Sequence, residues 1–413
     1  MKIAIVGGGV SGLVCAWLLN PQHEITVYEA NGYIGGHTNT VPVSMGGRTW
    51  SVDTGFIVFN HLNYPNFTKI LDRLGVESQP STMSFSVRCD ATGLEWGGHT
   101  IRTLFAQKKN LMSPRFLGMV RDILRFNKLA KALVESGSDD ETLGEFLDRH
   151  RLGEWFRTYY IVPMSSAIWS MPPSEIMAFP ARYMAQFMYN HRMLQVEGRP
   201  EWRTVSGGSW SYVRAMTETF RDRIRTSAPV QSIRRDADGV TISSNGSDER
   251  YDHVIIAAHA DQALRMLHDA TDTEQAVLGA MPYQKNEATL HTDVSLMPQR
   301  RLTWSAWNAH VDPRNPNQPA CLTYNQNILQ RLHAPKQFLV TLGDAPIAED
   351  QVIRRITYHH PLFTRESVRA QGRHAEISGV ERTHFCGAYW GFGFHEDGVV
   401  SGLRVCKHFG VEL

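Results

Sequence analysis

The sequence predicts an α/β fold in two interleaved domains, and three observations carry that reading. They are an apolar strand broken by glycines and followed by an apolar helix at the amino terminus, a β-rich stretch in the middle of the chain, and a strand, glycine-rich turn and helix at the carboxyl end. Lys2–Val6 reads as a short, doubly buried strand that stops at Gly7-Gly8-Gly9, and residues 10–19 form the apolar helical run after it. A β-branched strand over 25–28 ends at Glu29, which completes a β-α-β unit. Polar, Gly-rich sequence continues to about Asn60, and helical patterns dominate from there to roughly Asn190. The mix changes near 205–208, where a helix over 211–220 leads into 229–233, a hairpin from 239–242 across the turn 243–248, and a strand over 254–258. Alternation over 288–293 opens a third section, and 383–387 with 397–402 supply the final strand, turn and closing helix. One domain is thus expected from residues 1–60, 205–285 and 375–413, and an α+β domain from 61–204 and 286–374.

A chain of 413 residues with 42% hydrophobic and 20% charged residues has the composition of a folded enzyme, not of a disordered or low-complexity segment. Its net charge of +1 gives no global field toward nucleic acid, so no such partner is expected. The five cysteines are scattered and contain no CxxC pair, which points away from a disulfide framework or zinc knuckle and toward a reducing cytoplasm. No stretch approaches 18 apolar residues, so neither secretion nor a membrane span is expected, and no cluster with metal-ligand spacing stands out.

Gly7-x-Gly9-x-x-Gly12 lies where a strand ends and a helix begins, and Glu29 closes the next strand 17 positions after Gly12. Gly7 permits the tight turn, Gly9 lets the backbone approach a pyrophosphate, and Gly12 lets the helix pack closely on the sheet. The helix N-terminus, with Ser11 in its first turn, offers free N–H groups and partial positive charge to phosphates, while Glu29, followed by Ala30, can accept hydrogen bonds from a ribose diol. This is a Rossmann-type dinucleotide site. No second such loop occurs, so reduction by NADPH in a separate domain of the same chain is not expected.

The run from Glu29 continues through Gly35-Gly36-His37-Thr38 and Asp53-Thr54-Gly55-Phe56, and with these it resembles the opening of the flavin-containing amine oxidase and phytoene desaturase superfamily. The resemblance continues at 205–208, at Val230, at 254–258 with Ala257, at Cys386-Gly387 and at Asp397-Gly398-Val399-Val400 with Gly402. It implies FAD bound in an extended form. Gly36, His37, Thr38, Gly55, Phe56, Ala257 and Gly387 would lie along the cofactor, Val230 on its adenine side, and residues 397–400 by the flavin. Two positions depart from the family: His37 stands where most relatives have Arg, and Ala388 where many carry an acid. The runs 167–172, 187–191, 290–293, 297–298 and 302–308 resemble one branch, bacterial proteins similar to the flavin domain of plant cyclopropane fatty acid synthases. That resemblance implies a lipid context, with desaturation of a fatty acyl chain. The alternatives are oxidation of a hydrophobic amine and a non-catalytic flavoprotein partner of a lipid methyltransferase.

Hydride removal by a flavin needs positioning and a dry pocket. Tyr389, Trp390, Phe392 and Phe394 are candidate pocket walls, with His395 or Glu396 to take up a proton, although simple core packing is the competing role for such aromatics. Relatives commonly hold a Lys near the flavin before a strand of the substrate domain, and Lys285 stands in a comparable place. His291 and Asp293 share a strand face and read as a structural pair; the rings of adjacent His359 and His360 point to opposite faces. Residues 113–131 begin with the cap Ser113 and Pro114 and carry five cations against the single acid Asp122, beside a broad apolar stripe. A helix of this kind either dips into the inner face of an anionic membrane and admits a lipid substrate, or packs on the core with a basic outer side.

Overall fold

The computed structural model describes residues 1–137, 141–314 and 321–413. A five-stranded parallel sheet has the spatial order Thr383–Phe385, His253–Ile256, Lys2–Val6, Glu24–Tyr28, Ile224–Arg225, so the beginning, middle and end of the chain meet in one sheet. The central strand pairs Ile5 with Ile255 on one side and Val27 on the other, and its residues are buried on both faces of the sheet. The opening helix Val10–Leu19 and closing helix His395–His408 cover one face. Their contact depends on missing side chains: a Cβ on Gly398 would lie 2.7 Å from Val10 Cγ1, and one on Gly402 2.8 Å from the Ser11 carbonyl oxygen. The antiparallel meander Val230–Asp236, Gly239–Ser244, Ser247–Tyr251 covers the other face.

A seven-stranded sheet forms the second layer, ordered Val352–Pro361, Tyr283–His291, Leu339–Leu342, Cys321–Asn325, Trp307–His310, Phe85–Cys89, Leu94–Gly97. Helices including Pro114–Ser136, Val162–Trp169 and Ala181–Asn190 pack with its far end around a large aromatic core. Strands Phe85–Cys89 and Leu94–Gly97 fall where the sequence reads as helical. Their burial is nearly continuous, so the alternation that marks a half-exposed strand is missing. The middle helix ends earlier than its periodicity suggests, as Trp210–Thr217, and continues as a tight turn over Glu218–Arg223.

Two segments pack across the domain boundaries read from sequence. The hairpin Thr40–Met45 with Arg48–Asp53 puts Val41, Val43, Trp50 and Val52 against Leu290 and Val340 of the seven-stranded sheet and the neighbouring Phe338. The helix Pro65–Leu74 instead sends Phe67, Ile70 and Leu71 into the core beneath the opening helix. Buried Asp53 ties the hairpin down by accepting hydrogen bonds from Ser209 N and Oγ, Thr40 Oγ1 and Gln330 Nε2.

Candidate active site and cofactor channel

A single cavity of about 1400 Å³ runs from the glycine loop, between the two sheets, to the aromatic helical layer. It exceeds the roughly 300–1,000 Å³ of an ordinary small-molecule pocket and has room for a long cofactor with a substrate beyond it. Gly7, Gly9, Ser11, Glu29, Ala30, Gly36, His37, Thr38, Gly55, Phe56, Val230, Ala257 and Gly387 all line it. Gly12 lies beneath the loop, where a Cβ would come within 2.0 Å of the Gly7 carbonyl oxygen. Gly9 is the reverse case: a Cβ there meets nothing within 4 Å and would project into open space.

These residues fit an FAD. The opening helix starts at the cavity with Gly9 as its N-cap and no side-chain cap, leaving first-turn N–H groups for an anion. Glu29 is preset at the end of its strand: Oε2 accepts from Gly8 N at 2.9 Å, and Oε1 from Asn31 N and Nδ2 at 2.8 Å each, which leaves one acceptor site on Oε2 for a ribose hydroxyl. His37 Nε2 is buried in the cavity wall without a protein partner among the described residues. Burial, with His360, His259, His395 and His359 nearby, pushes its pKa well below the ordinary histidine value, so the ring is neutral where relatives carry a cation.

The structure corrects several expected positions. Lys285 does not reach the cavity; it points to solvent and pairs with Glu287 at 2.7 Å. The next residue, Asn286, turns inward, and its Nδ2 lies 2.8 Å from His360 Nδ1 on the neighbouring strand. Glu396 is no proton acceptor for a substrate, because its carboxylate caps the helix Pro65–Leu74, accepting from Asn66 N and Phe67 N at 2.9 Å each. Asp397 likewise caps its own helix by accepting from Phe394 N at 2.8 Å, while Gly398 packs on the opening helix, Val399 is core and Val400 faces solvent. None of Asp397, Gly398, Val399 and Val400 lines the cavity. A helix start presents one face inward, and here that face belongs to Phe394 and His395.

Among the aromatics, Tyr389, Phe392 and Phe394 line the cavity, whereas Trp390 is buried against His374 at a ring separation of 4.6 Å. His395 stacks on Phe56 with ring centroids 3.7 Å apart, and its Nε2 meets Tyr212 Oη at 2.9 Å. Tyr212 Oη in turn lies 2.7 Å from Thr38 Oγ1. Burial pulls His395 down to about 3, so it stays neutral near pH 7 and serves to hold the wall rather than to collect a proton. His291 and Asp293 form a local structural pair: the ring accepts from Asp293 N, and Asp293 Oδ1 accepts from Ser295 N.

Sequence reading missed Tyr212, Tyr358, Asn286 and the lining roles of His259 and His360. Alternation along the strand tells only that His359 and His360 face opposite ways; in the fold His360 stands 5.2 Å from the His37 ring, and burial holds its pKa near 4. The π-helical turn Arg157–Ile161, which delivers Tyr160 to the cavity, has no sequence signature. Replacing Lys285 by Met is expected to leave flavin content and substrate-dependent flavin reduction within about twofold of the parent. Replacing Glu396 by Ala is expected to cost about 1–2 kcal/mol in denaturant unfolding through the lost cap, with flavin retained.

The profile of flavin containing amine oxidoreductases matches residues 10–292. The Mycobacterium tuberculosis protein AofH, described as a flavin-containing monoamine oxidase, is 24% identical over 272 residues, covering 62% of this chain and 56% of its own. Cyclohexylamine oxidase from Brevibacterium oxydans shares the fold at a TM-score of 0.73 and 16% identity, with 98% of both chains covered. A CLA-producing fatty acid isomerase from P. acnes does so at 0.69 and 15%, again over 98% of both chains. The chain spans about half the length of the curated relatives it matches. With the glycine loop, the Glu29 carboxylate and the closing helix gathered around one channel, and a profile match over more than half its length, this chain belongs to the flavin containing amine oxidoreductase family.

Proposed function

We propose that the protein is an FAD-dependent oxidoreductase that removes hydride from an apolar substrate, with a fatty acyl chain as the substrate class. FAD, when bound, supplies the hydride acceptor. The observation that carries the reading is the wall of the channel beyond the cofactor residues: Trp96, Tyr160, Met164, Ile168, Trp169, Phe187 and Phe392 surround it. Such a lining excludes water and orients an apolar chain by contact, which is what hydride removal from carbon requires of a protein. Lys285 and Glu396, the two charged candidates for proton transfer, stand outside it, and His395 is held neutral.

The family match favours a second reading, oxidation of a hydrophobic amine, for which the aromatic walls supply cation-accepting faces. A third is a flavoprotein that presents lipid to a methyltransferase without turnover of its own. Anaerobic mixing of flavin-loaded protein with a medium-chain acyl substrate or with cyclohexylamine separates them. Bleaching of the flavin band by the acyl substrate is expected. Bleaching by the amine alone, or by neither, overturns the acyl reading.

A further inference from the structure

Residues 99–131 hold eight Lys or Arg and one acid, Asp122, which is buried and engaged by Arg121, Arg125 and Gly153 N. The charge this segment presents to solvent is therefore wholly positive. Among the described residues fifteen large hydrophobic side chains are exposed, and five lie between 101 and 124: Ile101 at 79%, Leu111 at 53%, Met112 at 86%, Leu117 at 43% and Leu124 at 53%. Apolar residues exposed singly are ordinary, but this concentration beside cations is not. On the helix Pro114–Ser136, Leu117, Arg121, Leu124 and Lys128 share one outward face by their spacing, while Phe116, Met119 and Phe126 fill the core on the other. Phe105 packs on Phe116 at 5.8 Å between ring centroids, which brings the Ile101–Leu104 turn against the start of that helix.

This face adjoins the channel. Trp96, Gly98 and exposed His99 line the cavity, and Ile101 follows two residues later. Val196, 71% exposed, and Arg199 line the channel as well and repeat the pairing of apolar side chain and cation. No helix among the described residues is long and apolar enough to cross a membrane, so these side chains suit the interface of a bilayer, not its span.

We infer that this face is a docking surface for an anionic phospholipid bilayer, seating the mouth of the channel against the membrane so that an acyl chain enters without crossing water. Cations near a negative surface are attracted to it, and the apolar side chains add burial in the headgroup layer. The inference rests on the acyl reading of the channel for its purpose, and on the face itself for its evidence.

The test is sedimentation of flavin-loaded protein with vesicles of phosphatidylglycerol or of phosphatidylcholine. Binding to phosphatidylglycerol at low salt, weakened at high salt, is expected, with little binding to phosphatidylcholine. Ile101→Glu with Met112→Glu, and separately Lys108→Glu with Lys109→Glu, are each expected to weaken it at least tenfold, whereas Leu302→Glu, exposed outside this segment, leaves it intact. Equal binding to both lipids, no binding, or binding unchanged in the paired variants overturns the inference. So does self-association through these residues without lipid. Flavin bleaching by a water-soluble acyl substrate is read on the same variants: bleaching without vesicle binding sinks the docking surface alone, and vesicle binding without bleaching sinks the acyl reading alone.

Discussion

Gly9→Val is expected to yield folded but colourless protein, while Gly12→Val is expected not to fold. The two glycines are three residues apart in one loop and differ in what a side chain would meet. At Gly9 a Cβ has nothing within 4 Å and lies in the wall of the channel, so valine fills space that a cofactor diphosphate needs and disturbs no protein contact. At Gly12 a Cβ would stand 2.0 Å from the Gly7 carbonyl oxygen and 3.1 Å from Ala257 Cβ, so the opening helix would have to leave the sheet. For Gly9→Val a loss of FAD affinity of at least about 100-fold is expected, equivalent to about 2.7 kcal/mol, with far-ultraviolet dichroism unchanged. Titration of FAD into apoprotein by fluorescence quenching measures the first; soluble yield and dichroism measure the second. A yellow Gly9→Val protein with parental affinity would remove the glycine loop from the cofactor site.

The second large effect is acid lability. His37, His191, His259, His291, His360, His384 and His395 all have pKa values depressed chiefly by burial, to about 4 for His191, His259, His291 and His360 and about 3 for His384 and His395. In the unfolded chain the same rings protonate near 6.5. Below that pH the unfolded state binds more protons than the folded one, so stability is complete above about pH 6.5 and falls as the pH drops toward the folded values. Asp53 and Asp397 act in the opposite sense, since burial raises both to about 6 and their contribution is lost as the pH rises through that value. Burial also raises Glu396, a third carboxyl of this kind, and the seven histidines outweigh the three. Each such histidine lowers stability by up to about 1.4 kcal/mol per pH unit below about 6.5, so several titrating together remove a large part of the roughly 5–15 kcal/mol of an ordinary fold. Thermal scans of flavin-loaded protein are expected to show Tm falling steeply from pH 7 to pH 5, and His384→Asn to reduce the slope. A flat or rising Tm over that interval would contradict the buried neutral rings.

How much of this was legible in the chain depends on where each interaction lies in sequence. The β-α-β start, the glycine spacing and Glu29 are local features, set by strand and helix periods and by the backbone freedom of glycine, and the structure places them as a reader of the sequence would. The strands Phe85–Cys89 and Leu94–Gly97 were not legible, because burial on both faces removes alternation. The direction of Lys285 was not legible either. In a strand a shift of one residue exchanges faces, and only pairing with Val352–Pro361 fixes that Asn286, not Lys285, turns toward His360. Glu396 illustrates the same limit from another side: its partners Asn66 and Phe67 lie some 330 residues away, so its capping role was invisible until the two helices met.

By itself the sequence determined the glycine loop in its strand–turn–helix setting and the family, since such a turn is made of consecutive residues set by local spacing. The tertiary structure alone decided which side chains face the substrate channel, because a channel wall is assembled from elements distant in sequence, and strand register and helix rotation choose the residue that points inward.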